Sequence, residues 1–186
     1  MANIFIVHGA FGSPKENWFS WLKKELEDLG YRVFVPRFPT PKKQSLKNWL
    51  SIFKKYEKYI DKKTIFIGHS IGCAFLLNVL EQQDKKVNAS FLVSGFIGLL
   101  GSKKFDNLNK TFADKSFDWK KIKKNCKRFY VFHSDNDPYV PIKKAKDLAK
   151  KLKAKLIVVK NAGHFNEKSG YKKFELLLKK LRLEFN

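Results

Sequence analysis

The chain has 186 residues with 44% hydrophobic and 15% aromatic content, enough to bury a core without disulfides or metals. It carries 39 Lys and Arg against 17 Asp and Glu, a formal charge of +22, but the only arginines are Arg32, Arg37, Arg128 and Arg182. Sequence-reading of nucleic acid leans on bidentate Arg contacts, and here Lys is spread along most helices, so the charge argues against a specific nucleic-acid partner and for salt-sensitive adhesion to polyanions. In chain order, Asn3–His8 reads as a first strand, with the Gly-rich loop His8–Pro14 at its carboxyl end. Asn17–Leu29 reads as a helix ended by Gly30, and Arg32–Val35 as a second strand. Pro36, Pro39 and Pro41 impose an extended loop, after which Ser45 caps a helix carrying Leu46, Trp49, Leu50, Phe53 and Ile60. Thr64–Ile67 is the third strand, Ile71–Glu81 a buried helix, and Val87–Val93 the fourth strand. Ser94–Phe117 is the least regular stretch, read as a loop long enough to cover a site. A short helix near Asp118–Lys124 follows, then strand Arg128–Phe132, helix Ile142–Leu152, strand Leu156–Val159 and a closing helix over Tyr171–Leu183 with Phe174, Leu177, Leu178 and Leu181 inward.

Strand and helix alternate throughout. That pattern predicts one α/β domain spanning residues 1–186, with about six mostly parallel strands, helices on both faces and no separate cap domain. In such sheets the reactive groups gather at the carboxyl ends of the strands. At the end of the third strand stands Gly68-His69-Ser70-Ile71-Gly72, a G-x-S-x-G turn between a strand and a helix. The small residues two positions either side let strand and helix nearly touch, which thrusts the serine hydroxyl above the sheet. The plain alternative is a surface serine in an ordinary turn.

A nucleophilic serine needs a base, and the base needs an orienting acid. His164, in Asn161–Phe165, follows the sixth strand, and Asp137, in His133–Pro141, follows the fifth. The order Ser70, Asp137, His164 is the one expected for this elbow. Asp135 competes with Asp137, but its local pattern suits a turn former that bonds its own backbone. The oxyanion donors are expected to be the backbone N–H groups of Ile71 and Ala10, with Phe11 next in line. Phe11, His69 and the Gly95–Leu100 stretch with Phe96 are candidate walls of the substrate pocket. Trp18 is expected in the core or at the margin of that pocket. His8 is expected to shape the first loop, His69 to support or underlie the nucleophile, and His133 to lie behind the acid or at the surface.

No histidine pair has metal-ligand spacing, and neither a phosphate loop nor G-x-G-x-x-G is present, so no metal or organic cofactor is expected. Cys73 and Cys126 form no C-x-x-C, which fits a reducing compartment, and no leader or membrane-span pattern is visible; the expectation is a soluble cytoplasmic protein. The sequence carries no signal of oligomeric state.

On His8-Gly9 with Ser13-Pro14, Trp18 and Trp21, on Gly68–Gly72, on Ser134–Pro141 and on Gly163-His164-Phe165, the chain resembles the small α/β-hydrolases of the retinoblastoma-binding protein 9 and YdeN type, a serine hydrolase family. The resemblance covers nearly the whole chain. It implies a reduced α/β-hydrolase fold with little or no cap, a triad at Ser70, Asp137 and His164, a small-molecule ester or amide substrate and no cofactor. Neither cysteine lies in an L-x-C-x-E segment, so a retinoblastoma-type motif is missing. The reading is a serine hydrolase that cleaves an ester, thioester or amide through an acyl-enzyme. The alternative is a catalytically weak protein of the same fold that serves as an interaction module.

Overall fold

The central apolar runs form strands because each is buried on both faces. In β1 (Asn3–Val7), Ile4 and Ile6 point to one side and Phe5 and Val7 to the other, and all four are inaccessible to solvent. The computed structural model describes residues 2–185. Five further strands complete the sheet: β2 (Arg32–Phe34), β3 (Ile65–His69), β4 (Val87–Val93), β5 (Cys126–Ser134) and β6 (Lys155–Val159). All pairs are parallel, in the order β2-β1-β3-β4-β5-β6.

Two cores follow from the alternation. One packs Ile4, Ile6, Ile65, Ile67, Phe91 and Phe132 against α1 (Phe19–Asp28) and, near the carboxyl terminus, a helix over Glu175–Arg182. The other packs Phe5, Val7, Phe66, Leu92 and Val131 against α2 (Leu46–Phe53), α3 (Ile71–Gln82), α4 (Lys103–Ala113), α5 (Trp119–Lys124) and α6 (Ile142–Leu152); the helix near the terminus is therefore α7. Ser45 Oγ accepts from Asn48 N–H at 3.3 Å and caps α2 as expected. The chain leaves β1 for β2 on one side and returns to β3 on the other, so a crevice opens at the carboxyl ends of β1 and β3.

Several boundaries differ from the expectation: β5 runs beyond Arg128–Phe132 at both ends, and the closing helix starts at Glu175, not Tyr171. The helix begun at Leu46 tightens into a 3₁₀ segment over Lys54–Tyr59, where Tyr59 stacks on Phe34 with ring centroids 4.8 Å apart. The stretch read as a loop over Ser94–Phe117 contains α4, whose face bearing Asn109, Phe112 and Ala113 is buried. Two of its anchors are tertiary: Asn78 Nδ2 donates to the Phe112 carbonyl (2.9 Å) and Gln44 Nε2 to the Leu108 carbonyl (3.1 Å); locally, Asp106 accepts from Leu100 and Gly101 N–H.

Candidate active site

The turn between β3 and α3 holds Ser70 in a conformation that few residues accept, with φ 55° and ψ −125°. The crowding explains the spacing of the motif. A Cβ on Gly68 would lie 2.9 Å from the Cys73 backbone, and one on Gly72 would lie 2.5 Å from the Val7 carbonyl oxygen. Ser70 N–H donates to the Val93 carbonyl at 2.9 Å, and the Ser70 carbonyl accepts from Cys73 N–H at 3.0 Å, so the neighbouring strand and the helix fix the strained residue between them.

The loops after β5 and β6 grip one another residue by residue. Ser134 Oγ accepts from Ala162 N–H (2.9 Å), Asp135 Oδ1 from Asn161 N–H (2.8 Å) and Asn136 Oδ1 from Gly163 N–H (2.8 Å). The fourth member is Asp137, whose Oδ2 lies 2.8 Å from His164 Nδ1. Asp137 Oδ1 accepts from Tyr139 and Val140 N–H at 2.9 and 3.0 Å. The turn-forming bond expected of Asp135 therefore belongs to Asp137, while Asp135 ties the two loops together. Burial works to raise the pKa of the Asp137 carboxyl. The hydrogen bond and charge of His164, with the two backbone donors, outweigh it and hold the pKa below the usual carboxylate value.

His164 is also held from behind. His69 Nε2 lies 2.8 Å from the His164 carbonyl oxygen, and Trp18 Nε1 donates to the Phe165 carbonyl at 3.0 Å. A carbonyl only accepts, so His69 carries its proton on Nε2. Burial, then the nearby His164, lowers the His69 pKa to about 3, and the ring is neutral. His69 thus links the residue before the serine to the backbone of the expected base, and Trp18 is a core residue, fully buried. His133 is buried, not at the surface: its Nε2 donates to the Val140 carbonyl (2.8 Å) and lies 4.0 Å from Asp137 Oδ2. His8 spans the first loop, donating through Nδ1 to the Gly9 carbonyl (2.8 Å) and accepting Phe38 N–H at Nε2 (3.1 Å).

Ser70 and His164 line one cavity of about 530 Å³, together with Gly9, Ala10 and His69. Among the described residues Ser70 Oγ makes no hydrogen bond to His164; such bonds are often long before substrate arrives. Of the two expected oxyanion positions, Ala10 N–H and Ile71 N–H have no protein acceptor among the described residues, the latter because it opens α3. Phe11 N–H is engaged by Thr40 Oγ1 at 2.7 Å, which leaves Ala10 as the free donor of these two. Phe11, Phe96 and Leu100 line the cavity. Gly95 does not: it packs on Cys73, and a Cβ there would lie 2.8 Å from Sγ. Ile97 and Gly98 face another groove. Helix α4, missed in the sequence, contributes Lys104, Phe105 and Asn109 to the cavity, and Phe105 bridges Phe11 and Tyr139 edge-on, with centroids 6.4 and 5.8 Å away. Tyr139 in turn stands edge-on to His164 at 5.1 Å. Among the described residues no His, Cys, Asp and Glu cluster could hold a metal ion, and no helix is long and apolar enough to cross a membrane.

The family model described as serine hydrolase matches residues 4–183. YdeN of Bacillus subtilis is 34% identical over 170 residues, covering 90% of this chain and 88% of the relative. Serine hydrolase RBBP9 of Rattus norvegicus is 33% identical over 149 residues, covering 80% and 77%. The crystal structure of the B. subtilis ydeN gene product superposes with a TM-score of 0.93 at 31% identity, over 100% of this chain and 99% of that one.

Proposed function

The chain belongs to the serine hydrolase family, and from that premise we propose that it cleaves an ester, thioester or amide bond of a small molecule through an acyl-enzyme on Ser70. Ser70 Oγ attacks the carbonyl carbon while His164 Nε2 takes its proton. Asp137 holds the imidazole by Nδ1 and stabilises the imidazolium. The oxyanion is held by Ala10 and Ile71 N–H. The tetrahedral intermediate then collapses, the leaving group departs with the proton from His164, and water repeats the sequence on the acyl-enzyme to release the acid. Phe11, His69 and Phe96 border the substrate. The observation that carries this reading is the four-residue grip of 134–137 on 161–164, which delivers a carboxylate to Nδ1 of an imidazole that shares a cavity with the strained serine.

Residues 1–186 are read as one domain, since every strand described belongs to the same sheet. A cytoplasmic setting fits two free, buried thiols. The test is intact-mass spectrometry during turnover of a p-nitrophenyl ester. Wild type should accumulate a covalent acyl adduct that maps to Ser70, and Ser70→Ala should form none. Turnover undiminished in Ser70→Ala would overturn the assignment.

A further inference from the structure

On the far side of the loop that walls the catalytic cavity lies a second, larger hollow of about 950 Å³. Its floor is aromatic: Phe117 and Trp119 pack with centroids 5.2 Å apart. Its walls carry Lys123 from α5, Lys144, Lys150 and Lys151 from α6, and Lys115 from the loop after α4, which pairs with Glu81; α6 also contributes one carboxylate, Asp147. Lys123, Lys144, Lys150 and Lys151 have no carboxylate within ion-pair distance among the described residues. Like charges gathered around a hollow repel one another, and a ligand carrying several negative charges in a small volume relieves that repulsion. Ammonium groups act as point charges on flexible stems and suit a compact phosphate chain, whereas planar recognition would call for Arg.

The two hollows share one wall. In the loop after β4, Phe96 and Leu100 face the catalytic cavity, while Ile97 and Gly98 face the basic groove. Lys144 Nζ donates to the Ile97 carbonyl at 3.3 Å, and Gly98 N–H donates to the Ala113 carbonyl at 2.8 Å, tying the same loop to the end of α4. Lys144 lines the groove and holds the Ile97 carbonyl, so an anion in the groove would compete with that carbonyl for the ammonium. We propose that this groove is a second ligand site, for a compact polyphosphate anion, and that its occupancy reshapes the catalytic cavity through the 96–100 loop. The binding claim stands apart from the hydrolase mechanism; the coupling claim rests on it.

The experiment titrates the protein with inorganic triphosphate at physiological ionic strength, where diffuse attraction is screened. Calorimetry reads the stoichiometry, and tryptophan fluorescence, compared with Trp119→Phe, reads the location. Saturable binding of one triphosphate is expected. The pair Lys123→Glu with Lys151→Glu should weaken it at least about tenfold, since two attractions become repulsions. A charge-matched control, Lys62→Glu with Lys63→Glu in the exposed turn before β3, should stay within about twofold of wild type. Equal loss in both pairs, or no saturation, would reduce the groove to general surface charge and overturn the site. Adenosine triphosphate binding as tightly as triphosphate supports recognition of the phosphate chain; nucleotide binding without triphosphate binding overturns it. So does a short oligonucleotide that outcompetes triphosphate at equal phosphate concentration. For the coupling, saturating triphosphate should change the KM of a p-nitrophenyl ester by about twofold or more, and Lys144→Gln should abolish the change. Binding with KM unmoved overturns the coupling. If no ester turns over, the hydrolase mechanism fails while the titration still decides the groove.

Discussion

Replacing Ser70 with Gly should make the protein more stable than replacing it with Ala. Ser70 sits at φ 55° and ψ −125°, where any Cβ meets its own backbone. Residues held in such regions cost about 1–3 kcal/mol. Ala keeps the Cβ and the strain; Gly removes both but adds about 0.5–1 kcal/mol of unfolded-chain entropy. The lost side chain is small and half-buried, so little packing is sacrificed. The difference leaves Ser70→Gly ahead of Ser70→Ala by about 1 kcal/mol, or about 2–4 °C in Tm for a chain of this size. Urea and thermal unfolding of the two variants in one buffer measure it, with hydrolysis lost in both. A Ser70→Gly variant equal to or less stable than Ser70→Ala would refute the strain argument, and with it the view that the elbow trades stability for an exposed hydroxyl.

The two aspartates of the acid loop should separate cleanly. Asp137→Asn keeps an acceptor for Tyr139 and Val140 N–H but turns an amide toward His164, so kcat should fall about 10⁴-fold with the fold intact, whereas Asp135→Ala should cost about 1 kcal/mol of stability and only a few-fold in rate. His69→Phe leaves the His164 carbonyl without its buried donor: stability should drop by about 1–3 kcal/mol, and kcat by about ten- to hundredfold with little change in KM. Stability should also be lost on acidification. Burial depresses the pKa of His8, His69 and His133, so their contribution is complete above about pH 6.5 and declines as pH falls, for His69 as far as about pH 3. Each such proton contributes about 1.4 kcal/mol per pH unit; urea midpoints should fall from pH 7 to 5, and His69→Phe should flatten the slope by about one proton. Asp137, also depressed, adds its loss only below about pH 4. Midpoints that rise from pH 7 to 5 would contradict this.

The strands and the elbow were legible because their signals are local. Val87–Val93 and Ile142–Leu152 have the boundaries expected from the sequence, and the glycines of the elbow stand where backbones collide. What escaped the sequence depends on partners far along the chain. Helix α4 was hidden because Lys, Asn and Asp dilute its apolar face, and its anchors Gln44 and Asn78 lie elsewhere. Asp135 read as a turn former because its partner is Asn161, 26 residues away. The run Ser134-Asp135-Asn136-Asp137 did carry a signal: four consecutive side-chain acceptors facing a Gly-containing loop could have been read as a clamp. His69 could not be read that way, since its acceptor is a backbone carbonyl 95 positions on.

The most direct test of an activated serine is labelling with a fluorophosphonate probe, comparing wild type with Ser70→Ala and His164→Ala. The expected result is a stoichiometric adduct on Ser70 in wild type, none in Ser70→Ala and almost none in His164→Ala. A folded wild type that stays unlabelled, or a His164→Ala variant that labels at the wild-type rate, would contradict it.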